Sequence, residues 1–257
     1  MKNTILSEKD ANLMEKAILK HGRILCISDL MVIFKELYTD ASAHNRINQL
    51  VQVGWLKRIK QGLYLIVDSL SGRSQTDISL AVIANALNKE SYISLSYALN
   101  YCQMFDQYDK IITSISVKGG KKYSFDNHIF KFSKVKKNQY FGFVEKRENG
   151  KIIKIAEAEK ALIDYLYLDK SFGSASLVFE KIRDHKKELD LDKLQAYAVL
   201  SCLTVCRKIG FLLDALKLNS DKVFGAVKNK RGYSRFTAGS KLFNAKWRLY
   251  YDDRIIG

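Results

Sequence analysis

The chain lacks proline altogether and has only four cysteines and four histidines in 257 residues. The histidines are scattered, and only two cysteines are close, four positions apart, so no set has the spacing of a metal site. Because no export signal is visible either, we expect the cysteines to be reduced, buried thiols. They are Cys26, Cys102, Cys202 and Cys206.

Long apolar runs are also missing. The most apolar stretches, Ile78–Leu87 and Ala196–Cys206, contain polar residues and fall short of the roughly 20 residues that span a bilayer, so they are predicted to be core helices. The first residues, Met1–Thr4, lack the apolar core of a secretory signal. We therefore expect a cytoplasmic protein with no membrane partner.

Catalytic motifs are absent from the sequence. It has no phosphate-binding P-loop, no glycine-rich dinucleotide turn and no nucleophile elbow. Glu157, Glu159 and Asp164 are the closest group of carboxylates, and an acid at a helix N-terminus is favoured by the helix dipole. We predict no enzymatic activity, no catalytic residue, no metal and no cofactor. A nuclease or kinase, the enzymatic alternative, would depend on Glu159 or Asp164.

Acidic residues are scarce relative to basic ones. The 43 lysines and arginines face 27 aspartates and glutamates, giving a formal net charge of +16. Such a field attracts polyanions, of which nucleic acid is the first candidate and an anionic membrane surface the second. A lysine-rich, proline-free chain is also what a biased genome composition produces, so charge alone fixes no site. Most of the excess lies beyond Ile66, where it would contact DNA backbone or an acidic partner protein.

The first sixty residues predict three short helices. Ser7 is typical of a helix N-cap and Gly22 of a C-cap, and Ser28-Asp29 opens a second helix. The third helix is expected from Asp40 to Val53. One face of it is aliphatic, and His44 is placed at the edge of that core face. The other face carries amide, hydroxyl and guanidinium groups, which hydrogen-bond base edges and phosphates: Ser42, Asn45, Arg46, Gln49 and Gln52.

A basic hairpin follows the third helix. Residues 55–66 alternate around a turn at Gln61-Gly62, and three cations precede the turn. A helix-turn-helix followed by a basic hairpin is typical of a winged helix-turn-helix, in which the helix contacts bases and the wing contacts the backbone. The alternative is a module of the same shape used for protein contact. The predicted DNA-binding residues are Ser42, Asn45, Arg46, Gln49, Lys57, Arg58, Lys60 and Gln61.

The remainder of the chain predicts an α+β domain. A linker is expected at Val67–Ser74, followed by an antiparallel series of strands and then by helices. The fold is therefore predicted to be α+β, with an N-terminal winged helix-turn-helix at 1–68 and a mixed α+β domain at 75–257 containing an antiparallel sheet and C-terminal helices. The later helices are expected at Ala158–Leu168, at Ala175–His185 and from Lys193 to about Leu216.

Several stretches together resemble the AbiEi family of antitoxins from type IV toxin–antitoxin systems. They follow one another in the same order over residues 7–216: Gly54–Arg58, Gly62–Tyr64, Tyr92–Leu99, Ala158–Tyr167 and Gly210–Leu216. Asn100-Tyr101-Cys102 stands where that family usually has His-Gly after its Ser-Tyr-Ala-Leu stretch, and the last forty residues lack a counterpart.

The resemblance implies a function. It implies an autorepressor whose winged N-terminal domain binds inverted repeats in the promoter of its own operon. It also implies a C-terminal domain that counters a nucleotidyltransferase-type toxin and helps to bind DNA. The alternative from the residues themselves is a protein-interaction module whose basic second domain binds an acidic partner.

Overall fold

The structure, a computed structural model, describes residues 6–67, 78–107 and 109–256. They form two compact units. The first unit comprises 1–89 together with 122–130 and 148–151, and the second comprises the rest of the chain. Most of the predicted linker, from residue 68 to 74, lies outside the described residues, and the predicted boundary there stays a prediction.

In the part of the first unit that the structure describes, residues 6–67 and 80–87 hold four helices and three strands. The order along the chain is α1 (Glu8–His21), β1 (Ile24–Cys26), α2 (Ile27–Phe34), α3 (Asp40–Gln52), β2 (Leu56–Lys60), β3 (Leu63–Ile66) and α4 (Leu80–Leu87). The three strands form an antiparallel sheet in the order β1-β3-β2. Strand β1 is only three residues long and was not expected from the sequence pattern.

Local signals fix the ends of the first helices. The Ser7 hydroxyl accepts a hydrogen bond from the Asp10 N–H, and Gly22 ends α1 with a φ of 82°, a conformation that favours glycine. Both predicted caps are confirmed. Helix α2 begins at Ile27, and its Asp29 side chain accepts from the Cys26 N–H at 3.1 Å.

One apolar core joins these elements. Buried side chains of α1, α2, α3 and the three strands form a single cluster, to which α3 contributes Ala43, Ile47 and Leu50. Because these three residues recur at helical spacing, their burial fixes which face of α3 lies inward. The opposite face is left to solvent.

The second unit is built on a larger sheet and a group of helices. The sheet has the strand order β6-β7-β5-β4-β9-β8. Its strands are β4 (Ser91–Ile93), β5 (Ile111–Ser116), β6 (Lys121–Phe125), β7 (His128–Lys134), β8 (Phe143–Glu148) and β9 (Lys151–Ala156). Residues 122–130, which hold most of β6 and the start of β7, and residues 148–151, at the turn between β8 and β9, are counted with the first unit. Strand β4 pairs with β5 antiparallel and with β9 in parallel, so the sheet is mixed and the expected antiparallel pairing holds in part.

The helices of the second unit agree with the sequence pattern in part. They are α5 (Leu95–Tyr101), α6 (Ala158–Leu168), α7 (Phe172–Asp184), α8 (Leu191–Ser201), α9 (Leu203–Ala215) and α10 (Asp221–Val227). The expected single helix from Lys193 to Leu216 is two helices, because Cys202 between them has extended backbone. A small sheet was also not expected: β10 (Ser234–Arg235), β11 (Leu242–Asn244) and β12 (Leu249–Tyr251), in the order β10-β12-β11.

The fold class and the state of the cysteines were also predicted from the sequence. The chain is α+β, as predicted, and none of the described helices is both long and apolar enough to cross a membrane. All four cysteines are free thiols, but Cys26 and Cys102 are exposed and Cys202 is half-buried, so the expectation of buried thiols is confirmed for Cys206 alone.

Trp247 anchors the C-terminal segment against α9. Its side chain is fully buried, and its indole Nε1–H donates to an Asp214 carboxylate oxygen at 2.8 Å. The ring lies against Gly210, where an added Cβ would come within 2.1 Å of two ring atoms. Glycine is therefore required at this position by the approach of the ring.

We expect Gly210→Ala to lower the free energy of unfolding by about 1–3 kcal/mol, because the enclosed indole has to shift. Gly225→Ala is the matched control within helix α10. A Cβ at Gly225 meets nothing within 4 Å, so alanine there should be neutral or stabilise by up to about 1 kcal/mol. Urea unfolding of the two variants measures both effects, and a shift of the same sign and size in both would contradict the packing described.

Candidate nucleic-acid interface

The outer face of α3 is a continuous exposed polar surface. Of the predicted residues, Ser42, Asn45 and Gln49 are exposed, as is Gln52 one turn further on. The single acid of the helix, Asp40, lies at its first residue and pairs with Lys35 at 2.8 Å. The face therefore presents hydroxyl and amide groups without an unpaired carboxylate beside them.

Two further exposed side chains of α3 were missed or misplaced. His44 is exposed rather than packed at the edge of the core, so that expectation is wrong. Asn48 is exposed as well, one turn after His44. Helical spacing predicts that both are exposed. At about 100° per residue, His44 is turned away from the buried Ala43 and Asn48 from the buried Ile47.

Arg46 is held by the fold. Its side chain is about one-third exposed, whereas the Asp10 side chain on α1 is fully buried. The guanidinium donates to both carboxylate oxygens of Asp10, with Nε at 3.0 and 3.1 Å from them. Its Nη1 donates to the Gln49 side-chain oxygen at 2.7 Å. Arg46 therefore ties α3 to α1 and orients Gln49, and its predicted contact with phosphate stays a prediction.

Asp10 accepts hydrogen bonds from three side chains: Ser7, Tyr38 and Arg46. Burial alone would raise the pKa of this carboxyl, but the hydrogen bonds and the positive charge of Arg46 outweigh burial and hold the pKa of Asp10 below its ordinary value. The hydrogen bond to Asp10 correspondingly raises the pKa of Arg46. The pair is thus ionised at neutral pH.

The hairpin of β2 and β3 carries the predicted wing cations, and two of them have partners within the first unit. Lys57 forms an ion pair with Asp126 at 2.8 Å, both side chains being about 29% exposed. The Lys60 ammonium donates to the Leu87 carbonyl at 2.8 Å and lies 5.7 Å from the centroid of the Tyr123 ring. The sequence pattern gives no sign of these contacts, because the partners of Lys57 and Lys60 lie far away along the chain.

The other two hairpin residues are open to solvent. Arg58 is exposed, and its guanidinium carbon lies 5.6 Å from the centroid of the Tyr64 ring. Gln61 is exposed in the turn beside Gly62, whose φ of 73° suits a tight turn. Arg58 is therefore the hairpin cation with the most accessible charge.

The carboxylates considered for catalysis have structural partners in the second unit. Asp164 is buried, pairs with Lys160 at 2.5 Å and accepts from Tyr92 and Ser94. Glu159 accepts from the Asp190 N–H at 2.9 Å, and Glu157 pairs with Lys193 at 3.0 Å. In the described part of the chain, no three His, Cys, Asp or Glu side chains gather closely enough to hold a metal ion.

Replacing Arg46 by methionine leaves the buried Asp10 carboxylate without its main donors. We expect Arg46→Met to lower the free energy of unfolding at pH 7 by about 1–3 kcal/mol, the cost of an unsatisfied buried polar group. Arg58→Met, which removes an exposed arginine of the same unit, should change it by less than about 0.5 kcal/mol. Denaturant unfolding of both variants measures the difference.

The Arg46→Met effect should depend on pH. Because the pKa of Asp10 is lower in the folded state, its contribution is fully present above the ordinary aspartate value of 3.8 and is lost as pH falls through the lower folded value. The difference between wild type and Arg46→Met should therefore shrink in strong acid. A difference independent of pH would show that Arg46 acts through packing alone.

Comparisons with known proteins bear on the fold. No protein-family model matches the chain, and no curated protein matches it. A solved structure, described as the crystal structure of the RV2827C protein from Mycobacterium tuberculosis, is similar, with a TM-score of 0.68 and 12% sequence identity. The match covers 98% of this chain and 93% of that chain. At this identity the likeness shows that the two chains share a fold.

Proposed function

We propose that this chain binds duplex DNA and that its first unit is a winged helix-turn-helix. The observation that carries the proposal is the exposed outer face of α3. This face presents amide and hydroxyl side chains, and the opposite face of the same helix is buried. The order α1-β1-α2-α3-β2-β3 with the sheet order β1-β3-β2 supports it, because the helix pair is followed directly by a hairpin.

Helix α3 has the dimensions and the groups that groove recognition needs. An α-helix with side chains is about 10–12 Å across and fits a major groove about 12 Å wide. Asn45 and Gln49 carry amides that pair with adenine edges, and Ser42 supplies a small hydroxyl. In this proposal these three residues contact bases, and Arg46 holds Gln49 in place while contacting the adjacent backbone with its remaining donors.

The hairpin would contact phosphates. Arg58 is the principal cation because its charge is exposed, and Gln61 adds an amide at the turn. Lys57 and Lys60 are proposed as weaker contacts, since each would have to exchange an existing partner, Asp126 or the Leu87 carbonyl, for a phosphate. An exchange of partners yields less net binding energy than a new contact.

The biological role we propose is that of a transcriptional autorepressor and antitoxin of a type IV toxin–antitoxin system. The DNA-binding part rests on α3 and the hairpin. The antitoxin part rests on the resemblance of residues 7–216 to the AbiEi family, and it includes a nucleotidyltransferase-type toxin as partner. The cationic excess beyond Ile66 gives the second unit an affinity for polyanions or for an acidic protein surface.

We expect the chain to bind a duplex containing its own upstream promoter tightly and with strong salt dependence. Asn45→Ala should cost about 1–3 kcal/mol and relax specificity at one base pair. Arg58→Ala should weaken binding to all sequences and reduce the slope of log affinity against log salt by about 0.9. Fluorescence anisotropy at several salt concentrations measures both.

Lys187→Ala is the matched control for Arg58→Ala, because Lys187 is an exposed cation to which the proposal assigns no direct contact with DNA. It should leave affinity and slope unchanged. Equal effects of Arg58→Ala and Lys187→Ala would favour the alternative, in which the chain is a protein-interaction module and its attraction to DNA is only that of its net charge.

The antitoxin role predicts a toxic neighbour. A nucleotidyltransferase-like gene beside the one for this chain should arrest growth when expressed alone, and co-expression of this chain should restore growth. Asn45→Ala should still restore growth but should no longer repress the promoter fully, because promoter binding is assigned to α3. Absence of growth arrest by the neighbouring gene would contradict the antitoxin role and leave the DNA-binding proposal standing.

A further inference from the structure

Helix α9 buries a lysine without a carboxylate partner. The Lys208 side chain is 1% exposed. Its ammonium donates to the Leu166 carbonyl at 3.4 Å and lies 5.2 Å from the centroid of the Phe236 ring. None of the ion pairs among the described residues includes Lys208, although the negative charge of Asp169 acts on it. Since an ammonium has three donors and burying its charge is costly, the fold alone leaves this group poorly satisfied.

A cavity of about 730 Å³ lies beside this lysine, entirely within the second unit. Its volume is within the range of small-molecule sites. Lys208, Lys170 and Arg235 line it, and among the described residues no aspartate or glutamate does. Asp169, next to Lys170 in the sequence, accepts from Ser171 and Ser174 instead. The lining cations therefore give the cavity an excess of positive charge, which the carboxylate of Asp169 reduces in part.

The N-terminus of α9 also faces the cavity. Thr204 and Val205, in the first turn of this 13-residue helix, are lining residues. The N-cap residue Cys202 makes no side-chain capping bond, and the first backbone bond runs from the Cys206 N–H to the Cys202 carbonyl at 2.9 Å. The amides of the first turn are thus available to an acceptor, and the helix dipole adds positive potential there.

The remaining wall of the cavity is apolar and aromatic. Leu166, Val205 and the buried Phe236 line it, and Tyr233, which is 64% exposed, lies at its surface. The surface that a ligand can cover on this wall is mainly that of Tyr233, because Leu166, Val205 and Phe236 are at most 2% exposed. The combination of three cations, helix amides and an apolar wall fits a molecule with one doubly charged group and an organic part.

We propose that this cavity is a binding site for a small organic phosphate, whose phosphate group pairs with Lys170, Arg235 and the N-terminus of α9 and whose organic part packs against Tyr233 beside Lys208. The site does not depend on the DNA-binding proposal, because it lies within the second unit and uses none of the residues of α3 or the hairpin.

Pyridoxal 5′-phosphate is a direct probe, because it is an aromatic organic phosphate whose aldehyde condenses with a neutral amine and releases water. Burial lowers the pKa of Lys208 to about 8, so the neutral amine is well populated at pH 8. After borohydride reduction of the full-length protein, peptide mapping by mass spectrometry should find the label on Lys208. Pyridoxal, which lacks the phosphate, should label it roughly tenfold more slowly, the ratio expected from one charge-assisted contact.

Competing ligands show which part of the probe, the phosphate or the ring, is responsible for labelling of Lys208. Phenyl phosphate should protect Lys208 at lower concentration than inorganic phosphate does, and phenol should not protect. Lys208→Met should lose the label, whereas Lys187→Met, a change at an exposed lysine, should keep it. Equal labelling by the two aldehydes, label mainly on other lysines, or no protection by phenyl phosphate would overturn the site. Equal protection by inorganic and phenyl phosphate would overturn the organic part of the ligand.

Discussion

The ion pair between Asp10 and Arg46 is the contact on which the first unit depends. It joins a fully buried carboxylate on α1 to a partly exposed guanidinium on α3. Apolar burial of Ala43, Ile47 and Leu50 determines which face of α3 is inside, but apolar contacts tolerate sliding. A forked guanidinium that donates to both oxygens of one carboxylate does not, so the pair fixes α3 in position and direction.

This constraint links the fold to the proposed function. Arg46 lies at the border between the buried and exposed faces of α3, and it also donates to Gln49. A residue that the sequence pattern assigns to phosphate binding is thus a positioning residue for the exposed face. The cations of the hairpin divide in the same way between structural and exposed roles. Lys57 and Lys60 bind β2 to other parts of the first unit, whereas the charge of Arg58 is exposed to solvent.

Local features of the fold were predictable from sequence because their causes are local. Ser7 and Gly22 cap α1, and Ala158–Leu168 is a helix with the predicted bounds, since capping groups and apolar spacing act within a few residues. The break at Cys202 was not predictable, because the apolar pattern continues through it. Strand β1 and the small C-terminal sheet were missed because strands of two or three residues are too short to show a period.

The contacts of the hairpin lysines were not predictable, because their partners are distant in sequence. Asp126 pairs with Lys57 from 69 positions away, and Leu87 accepts from Lys60 from 27 positions away. Spacing carries no information about such contacts. The exposed set on α3 was largely visible beforehand, because it follows from helical periodicity alone, and His44 was misplaced only because it borders the core residue Ala43.

The central claim is that the outer face of α3 enters a DNA groove. Chemical shifts of backbone amides, followed by NMR as a duplex from the upstream promoter is added, test it most directly. The account predicts the largest changes along the exposed positions of α3 and at Arg58, with Ile47 and Leu50 little affected. Changes confined to the second unit, with α3 unperturbed, would contradict it.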